Sequence, residues 1–320
     1  MIFETIISAV MLNLSPVEPF NNPTPPTNDP PAIENFEPTP VFPYDMAYPY
    51  AYFELDDILK NISGLTASKD IKTITCIQSE DGKSYDIDRK TGKIVGSTFF
   101  VTEGEFQGIE MVGDTLFAVK GSGQLFKIWN LKSASKNVKA VRTGLARTES
   151  IDGLGYDLAN NRLLMTSKGQ KEGDFSKKIY EMNVKTNATN PIPAYEITLA
   201  GVKGFLTEKK TNKEYEKLYQ DYVSKTNAKS FDFVPSSIAV HPINQNIYVL
   251  SSVNNVLLVL NQQGSIVEMT KLKKELHIAP SGLCFDEEGT MYISNESKEG
   301  KPAKMFEYKM KKDVITASRR

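Results

Sequence analysis

The stretch HIAPSGLCFDEEGTMYISNES, residues 277–297, contains two runs of alternating residues separated by an acidic turn with a glycine. A small polar residue and Gly-Leu open the first run, and TMYISN forms the second. Alternation with a period of two is typical of β-strands, because successive side chains point to opposite faces of a sheet. The stretch therefore predicts two strands, and the fold depends on whether the pattern recurs.

The pattern occurs five times in the chain. Aligned on the glycine, the copies are NISGLTAS at Gly64, EFQGIEMV at Gly108, SIDGLGYD at Gly153, VPSSIAVH with Ser237 in the glycine's place, and IAPSGLCF at Gly282. The intervals are 44, 45, 84 and 45 residues, and each copy continues into three further short runs rich in Val, Ile, Leu, Tyr and Phe. Four short strands per repeat of this length are typical of a propeller blade. The sequence predicts an all-β protein, a five-bladed β-propeller.

The 84-residue interval is nearly twice the repeat, so a six-bladed propeller is the alternative. Its middle part, residues 206–230, is rich in Lys and Glu and carries a stripe of large side chains: Leu206, Tyr215, Leu218, Tyr219 and Tyr222. Spacing of three and four residues over the later part of this stripe favours an amphipathic helix over a blade. We therefore predict a short helical insertion near 206–230 that packs its stripe on the propeller.

A propeller must close its ring. The segment YFELDDIL, residues 52–59, can add a strand to the last blade, whose own C-terminal strand would be KDVITAS, residues 312–318. Shared closure of this kind covers the exposed edge of a sheet. We predict that both ends of the propeller domain, residues 51–320, meet in one blade.

The N-terminal region differs in composition from the repeats. Residues 1–15, MIFETIISAVMLNLS, are apolar without a basic start, and we interpret them as a degenerate or truncated export signal, with a docking strand as the alternative. Residues 16–50 contain 11 of the 17 prolines, which favours an extended spacer over packed structure. The sequence thus predicts a protein of the periplasm or cell surface that is tethered by this spacer.

Charge and cysteine content narrow the classes of function. The chain has 38 basic and 39 acidic residues, whereas a nucleic-acid-binding domain normally has a basic excess, so no nucleic-acid partner is expected. Cys76 and Cys284 lie far apart in apolar runs, which favours two buried thiols over a disulfide or a zinc site. The sequence contains no run of 18 apolar residues, so no transmembrane helix is expected.

The five motifs share their register and their turns: NISGL, EFQGIEMVGDTLFAVKGSGQLFKI, IDGLGYDLANNRLLMTSKG, PSSIAVHPINQNIYVLSS and PSGLCFDEEGTMYISNE. Together they resemble the SdiA-regulated (YjiK-like) family, exported bacterial proteins distantly similar to NHL-repeat propellers. The resemblance covers about residues 52–310. It implies a five-bladed propeller with a bound calcium ion, and it implies no settled biochemical activity.

The residue before each repeat glycine is predicted to line the central channel, because the first strand of every blade surrounds the axis. These residues are Ser63, Gln107, Asp152, Ser236 and Ser281. Calcium prefers several oxygen ligands, and we predict Asp152, Gln107 and Glu105 as ligands if the strand around Gln107 is regular. Relatives often have Glu at this position, so Gln107 and Ser281 depart from the family pattern. A polar channel with bound water is the alternative.

Three further polar residues lie close to the predicted channel. His277 precedes Ser281 by four residues and is a candidate ligand-binding residue, although no serine or cysteine nucleophile pairs with it in the sequence. Lys168 and Glu296 each follow a second strand and are expected on the same rim. None of these residues is predicted to be catalytic.

Two functions compete. The first is a non-enzymatic binding module that presents a propeller rim to a protein or glycan ligand. The second is a calcium-dependent hydrolase, similar to the lactonases and phytases that are built on other propellers, which would need several carboxylates converging on the metal. The fold by itself does not separate them, because propellers host unrelated activities.

Overall fold

Twenty β-strands, two α-helices and two short 3-10 helices make up the regular structure of the described residues. The structure, a computed structural model, describes residues 42–68, 72–133, 135–145, 149–169, 175–224 and 231–311. The strands form five antiparallel sheets of four strands each. Their number confirms the five-bladed propeller, and the six-bladed alternative is wrong.

Each repeat of the sequence forms one blade, with its first strand innermost. The first strand of the chain is β1 (Ala51–Glu54). Blade 1 contains β2 (Ile62–Ala67), β3 (Thr73–Gln78), β4 (Gly82–Asp88) and β5 (Ile94–Val101). Blade 2 contains β6 (Phe106–Val112), β7 (Thr115–Lys120), β8 (Gln124–Trp129) and β9 (Asn137–Arg142). Blade 3 contains β10 (Ile151–Asp157), β11 (Arg162–Ser167), β12 (Ser176–Asn183) and β13 (Tyr195–Thr198).

Blade 4 contains β14 (Pro235–Val240), β15 (Ile247–Ser251), β16 (Val256–Leu260) and β17 (Ile266–Lys271). Blade 5 contains β18 (Pro280–Phe285), β19 (Met291–Asn295) and β20 (Lys304–Tyr308), and β1 completes it as the outermost strand. The pairing of Ala51 with Glu307 and of Glu54 with Lys304 sets the register of this closure. The predicted closure by the segment that follows the spacer is confirmed for residues 52–54, whereas Asp57–Leu59 form a 3-10 helix. The proposed C-terminal strand, residues 312–318, lies outside the described residues.

The innermost strands contact one another around the axis in the order β2, β6, β10, β14 and β18, and β18 returns to β2. The repeat glycines lie at these contacts. A Cβ atom on Gly108 would lie 2.7 Å from the backbone nitrogen of Leu154, and one on Gly64 would lie 3.0 Å from that of Ile109. Neighbouring blades therefore approach each other backbone to backbone, a distance that glycine allows.

Blade 4 has Ser237 where the other blades have glycine. Its hydroxyl accepts a hydrogen bond from the backbone N–H of Leu283 at 3.0 Å, on the next innermost strand. The serine therefore replaces a close backbone contact with a hydrogen bond to the same neighbour.

Every innermost strand has a β-bulge directly before this position. The pairing with the second strand shifts between Ile62 and Gly64 in blade 1, and equivalent shifts occur in the other four blades. The bulge leaves one residue without a partner on the second strand: Ser63, Gln107, Asp152, Ser236 or Ser281; in blade 3 Gly153 is also unpaired. Bulges redirect side chains and are frequent beside functional sites.

The long interval contains two helices, α1 (Leu199–Glu208) and α2 (Glu216–Tyr222), with the 3-10 turn Lys213–Tyr215 between them. The side chain of Thr198 caps α1 by accepting from Gly201 N–H at 3.0 Å. The stripe residues Leu206, Tyr215, Leu218 and Tyr222 are buried in one cluster with residues of blades 3 and 4. The insertion and its packing are confirmed, but it begins at residue 199, and residues 225–230 lie outside the described residues.

The end of the proline-rich region packs on the propeller. Tyr44 and Met46 are buried among residues of blades 4 and 5, and the Tyr44 hydroxyl donates to the carbonyl of Gly289 at 2.6 Å. The compact unit that contains the propeller accordingly includes residues 42–50. Within residues 42–50, which the proline content assigns to the spacer, Phe42, Tyr44 and Met46 thus pack against the propeller, whereas Tyr48 and Tyr50 are exposed. Residues 1–41, with the predicted signal and most of the spacer, lie outside the described residues.

Cys76 and Cys284 are free and buried in one apolar cluster between blades 5 and 1. Burial raises the pKa of both thiols above the usual range, so they are protonated at neutral pH. The expectation of two buried thiols is confirmed.

We expect Gly108→Ala to lower the free energy of unfolding by about 1–3 kcal/mol, because its methyl group would meet backbone atoms that cannot rotate away. The control is Gly204→Ala in α1, where a Cβ atom would have no neighbour within 4 Å. That control is expected to raise the stability by about 0.5–1 kcal/mol, as alanine does in a helix. Urea denaturation measures both changes. A wild-type midpoint for Gly108→Ala would contradict the close contact between blades.

Candidate functional site

The bulged residues lie at the beginning of the innermost strands and therefore at one rim of the channel. Two of the serines join neighbouring blades. The Ser63 hydroxyl donates to the carbonyl of Phe106 at 2.9 Å, and the Ser236 hydroxyl donates to that of Pro280 at 3.0 Å. Each acceptor directly precedes the bulged residue of the next blade, so these hydroxyls are satisfied within the ring and stabilise it.

Ser281 and Gln107 have other surroundings. The Ser281 hydroxyl lies 3.4 Å from the hydroxyl of Ser294 in the same blade, and both side chains are buried. Gln107 is half-buried beside Gly121, where β7 ends. The ring thus consists of three serines held by protein groups, one amide and the carboxyl group of Asp152.

Asp152 is the charged residue among the five bulged residues. It is 4% exposed, and its carboxylate forms an ion pair with the ammonium group of Lys168, which follows β11 of the same blade. Burial raises the pKa of Asp152 to about 7, Lys168 opposes this rise, and the negative charge of Glu296 adds to it. Glu296 follows β19 of blade 5. Burial raises the pKa of Glu296, and the positive charge of Lys168 reduces this rise.

The three groups therefore interact from two blades, and the expectation that Lys168 and Glu296 share a rim is confirmed. The Lys168 side chain is 36% exposed, so this cluster has one face open to solvent. Convergent titratable groups with shifted pKa values at the mouth of a channel are typical of ligand-binding sites.

The predicted calcium ligands do not come together in the expected way. Glu105 is exposed, has a φ of 70° and precedes β6, while the bulge at Gln107 removes the regular alternation that would align the two side chains. Lys168 already supplies a positive charge to Asp152. Among the described residues, no group of three or more His, Cys, Asp or Glu side chains is placed to hold a metal ion. The rim therefore does not fit calcium well.

His277 does not line the channel. It is fully buried in blade 5, where its ring lies against Phe306 and its Nε2 is 2.7 Å from the hydroxyl of Tyr308. Burial lowers its pKa to about 4, so it is neutral at physiological pH. Its proximity to Ser281 in sequence does not bring it to the rim, because its ring packs against β20, the third strand of blade 5.

Sequence reasoning missed Glu110 on β6, three residues beyond the bulge. Its carboxylate accepts from the Thr66 hydroxyl at 2.5 Å and from the backbone N–H of Tyr156 at 3.1 Å, and so joins blades 1, 2 and 3. Burial raises the pKa of Glu110 to about 7. The signal was present in FQGIEMV, because a charged residue at the position where other copies have Thr, Gly, Ala or Cys is unexpected on an innermost strand.

The geometry and the repeats agree with one sequence family. The family model described as SdiA-regulated matches residues 47–299. The chain belongs to the SdiA-regulated family. The match includes the rim residues and Glu110, and it confirms the resemblance that the five motifs indicated. No protein with a curated description matches the sequence significantly.

Solved structures with a similar fold differ strongly in sequence. The glutaminyl cyclase of Myxococcus xanthus has 10% sequence identity and a TM-score of 0.52, with 82% of this chain and 95% of that chain covered. The aldose sugar dehydrogenase of Streptomyces coelicolor, solved in its PQQ-bound form, has 10% sequence identity and a TM-score of 0.47, with 82% of this chain and 100% of that chain covered. A luciferin-regenerating enzyme has 9% identity and a TM-score of 0.45, with 81% and 94% covered. The first of these similarities supports the propeller fold alone.

The described residues contain no helix that is long and apolar enough to cross a membrane.

The raised pKa of Asp152 predicts a pH-dependent stability. The folded protein retains the Asp152 proton up to about pH 7, whereas the unfolded chain releases it near pH 4, so stability decreases between these values. We expect Asp152→Asn to remove this loss and to gain roughly 2–4 kcal/mol relative to wild type between about pH 4.5 and about pH 7.5. Urea denaturation at several pH values measures the difference. Ser63→Ala, the control, should change stability equally at every pH, and parallel curves for Asp152→Asn and wild type would contradict the prediction.

Proposed function

We propose that this protein is a non-enzymatic binding module whose ligand contacts the rim formed by Asp152, Lys168 and Glu296. The observation that carries the proposal is the partly exposed ion pair beside a second carboxyl group at the mouth of the channel. These groups come from blades 3 and 5, so a ligand that bridges them would contact both sides of the channel.

The chemistry of the rim indicates which ligand groups it would bind. Two carboxyl groups accept hydrogen bonds, and Lys168 donates them, so the rim matches hydroxyl and amide groups arranged on a polar surface. Glycans and the backbone of a peptide both present such groups. We therefore propose a glycan or a protein segment as the ligand, in line with the expectation from the sequence.

Export to the periplasm or cell surface forms part of the proposal. It rests on residues 1–15 and on the proline-rich segment that follows, which would hold the propeller away from a surface.

A test of this function compares two lysine variants. Lys168→Met removes the exposed donor at the rim, and Lys178→Met is the control. Lys178, on the third strand of the same blade, is also 36% exposed and also pairs with a carboxylate, that of Glu149. Labelled full-length protein is applied to a glycan microarray and to a peptide array. We expect Lys168→Met to weaken binding at least about tenfold, equivalent to about 1.4 kcal/mol, while Lys178→Met binds like the wild type. Equal binding by Lys168→Met and wild type, or no ligand on either array, would reject the proposal.

A calcium-dependent hydrolase is the second candidate. The observation in its favour is that Asp152 and Glu296 belong to one electrostatic cluster at the rim. Calcium would there compete with Lys168 for Asp152, and catalysis would require further carboxylates around the metal. Because the described donors fit calcium poorly, we rank this candidate second.

Thermal melts separate the two candidates, since an ion that binds the native state raises the melting temperature. For the wild type we expect no difference between calcium and a chelator. For Lys168→Glu, which replaces the ammonium group with a third carboxylate, we expect calcium to raise the melting temperature by about 2 °C or more. A calcium-dependent increase in the wild type would instead favour the hydrolase, and no increase in the variant would contradict the role of Lys168 as the internal counter-ion.

A further inference from the structure

A cavity of about 270 Å³ lies at the end of the innermost strands opposite the bulged residues. All five of these strands contribute residues close to their C-terminal ends: Ala67, Met111, Tyr156, Val240 and Phe285. The bulged residues of the rim stand at the beginning of the same strands. Because a strand advances about 3.3 Å per residue, the cavity lies roughly 13 Å from Asp152. It is therefore a separate site.

The walls of this cavity are mainly apolar. Met111, Val240 and Phe285 contribute apolar side chains, Tyr156 contributes an aromatic ring, and Leu158 lines the mouth with 70% of its surface exposed. Small-molecule sites typically combine such walls with a few polar groups that set the orientation of the ligand. The volume is at the lower end of the range for these sites, which limits the ligand to a small molecule.

Glu110 is the polar group that distinguishes the cavity. Its Oε1 accepts from the Thr66 hydroxyl at 2.5 Å and from the Met111 N–H at 2.9 Å, whereas its Oε2 accepts one bond, from Tyr156 N–H at 3.1 Å. A carboxylate oxygen has room for about two hydrogen bonds, so Oε2 retains an acceptor position. The pKa of Glu110 is set by burial and by these hydrogen bonds, and no lysine or arginine among the described residues contributes to it.

Two other ionisable side chains of the cavity, Asp286 and His241, already have partners. The Asp286 carboxylate accepts from Arg89 at 2.5 Å and from the N–H of Thr290 at 2.7 Å. The Nδ1 of His241 accepts from the N–H groups of residues 243 and 244, and its Nε2 lies 2.8 Å from the Tyr44 hydroxyl. Glu287 is exposed at the mouth. Glu110 is thus the acidic group inside the cavity with an open acceptor position.

We propose that this cavity binds a small organic amine, whose ammonium group donates to Glu110 Oε2 and whose apolar part packs against Met111, Tyr156 and Phe285. A partly buried carboxylate without a cationic partner is unfavourable, and a bound ammonium group would supply the missing charge. The tyrosine ring adds a favourable surface for a cation. The site is independent of the function proposed for the Asp152 rim.

The protonation of Glu110 provides a further expectation. Burial raises the pKa of Glu110 to about 7, so the carboxylate forms between about pH 6 and about pH 8. Of the neighbouring groups, His241 has a pKa lowered by burial to about 4, and the pKa values of Tyr156 and Cys284 are raised by burial, so none of these changes charge in this range. Asp286 is held by Arg89, and Glu287 is exposed. The affinity for an amine should therefore rise about five- to tenfold from about pH 6 to about pH 8.

Isothermal titration calorimetry on the full-length protein tests the proposal with 2-phenylethylamine and with its neutral analogue 2-phenylethanol. We expect the wild type to bind the amine at least about tenfold more tightly than the alcohol, a difference of about 1.4 kcal/mol. Glu110→Gln should lose this preference, because the amide keeps the size of the side chain and removes its charge. Glu268→Gln, on the outermost strand of blade 4, is the matched control and should bind the amine like the wild type, because Glu268 accepts from the Tyr215 hydroxyl at 2.8 Å and lines neither the cavity nor the rim.

Ser68→Trp gives a second test that leaves Glu110 intact, because residue 68 is partly exposed and lines the cavity. Its large side chain should block the cavity and abolish binding of both compounds while circular dichroism shows a folded protein. The proposal is overturned if the wild type binds neither compound, if amine and alcohol bind equally, or if Glu110→Gln or Ser68→Trp binds the amine like the wild type.

Discussion

The close approach of the five innermost strands is the constraint on which the structure depends. At the repeat glycines the backbones of neighbouring blades come so near that a Cβ atom would contact backbone atoms of the next blade. Ser237 is tolerated in blade 4, where its hydroxyl bonds to the neighbouring strand. Each of these five contacts joins two consecutive blades, so the ring is closed only when all five are formed. Strand β1 covers the outer edge of the last blade.

The close packing of the five innermost strands also creates two chemically different ends of the channel. At the beginning of the innermost strands the bulges turn polar side chains towards the neighbouring blades, and two serines are satisfied by backbone carbonyls. At the other end apolar side chains surround Glu110, which is held by groups of blades 1 and 3. Both carboxyl groups, Asp152 and Glu110, have a pKa raised to about 7, because burial among the packed strands disfavours the charged form.

Much of the fold could be predicted because blades are local units. A blade consists of strands that follow one another in the chain, so alternation and turn residues give its strands and their order. The bulged rim residues were found for the same reason, since the repeat glycine marks their position. His277 and Glu105 were misjudged because the path of the chain before an innermost strand does not follow the repeat. The packing of Tyr44 could not be predicted, because its partners His241 and Gly289 lie 197 and 245 positions further along the chain.

The sequence by itself determined the number of blades, the position of the helical insertion and the set of residues that starts each innermost strand, because these follow from a repeated local pattern. Only the tertiary structure decided which charges meet. Glu296 of blade 5 acts on Asp152 of blade 3, and Glu110 is bonded by residues 44 positions before it and 46 positions after it. Such pairs depend on the closed ring, in which residues far apart in the chain become neighbours, and no local pattern encodes them.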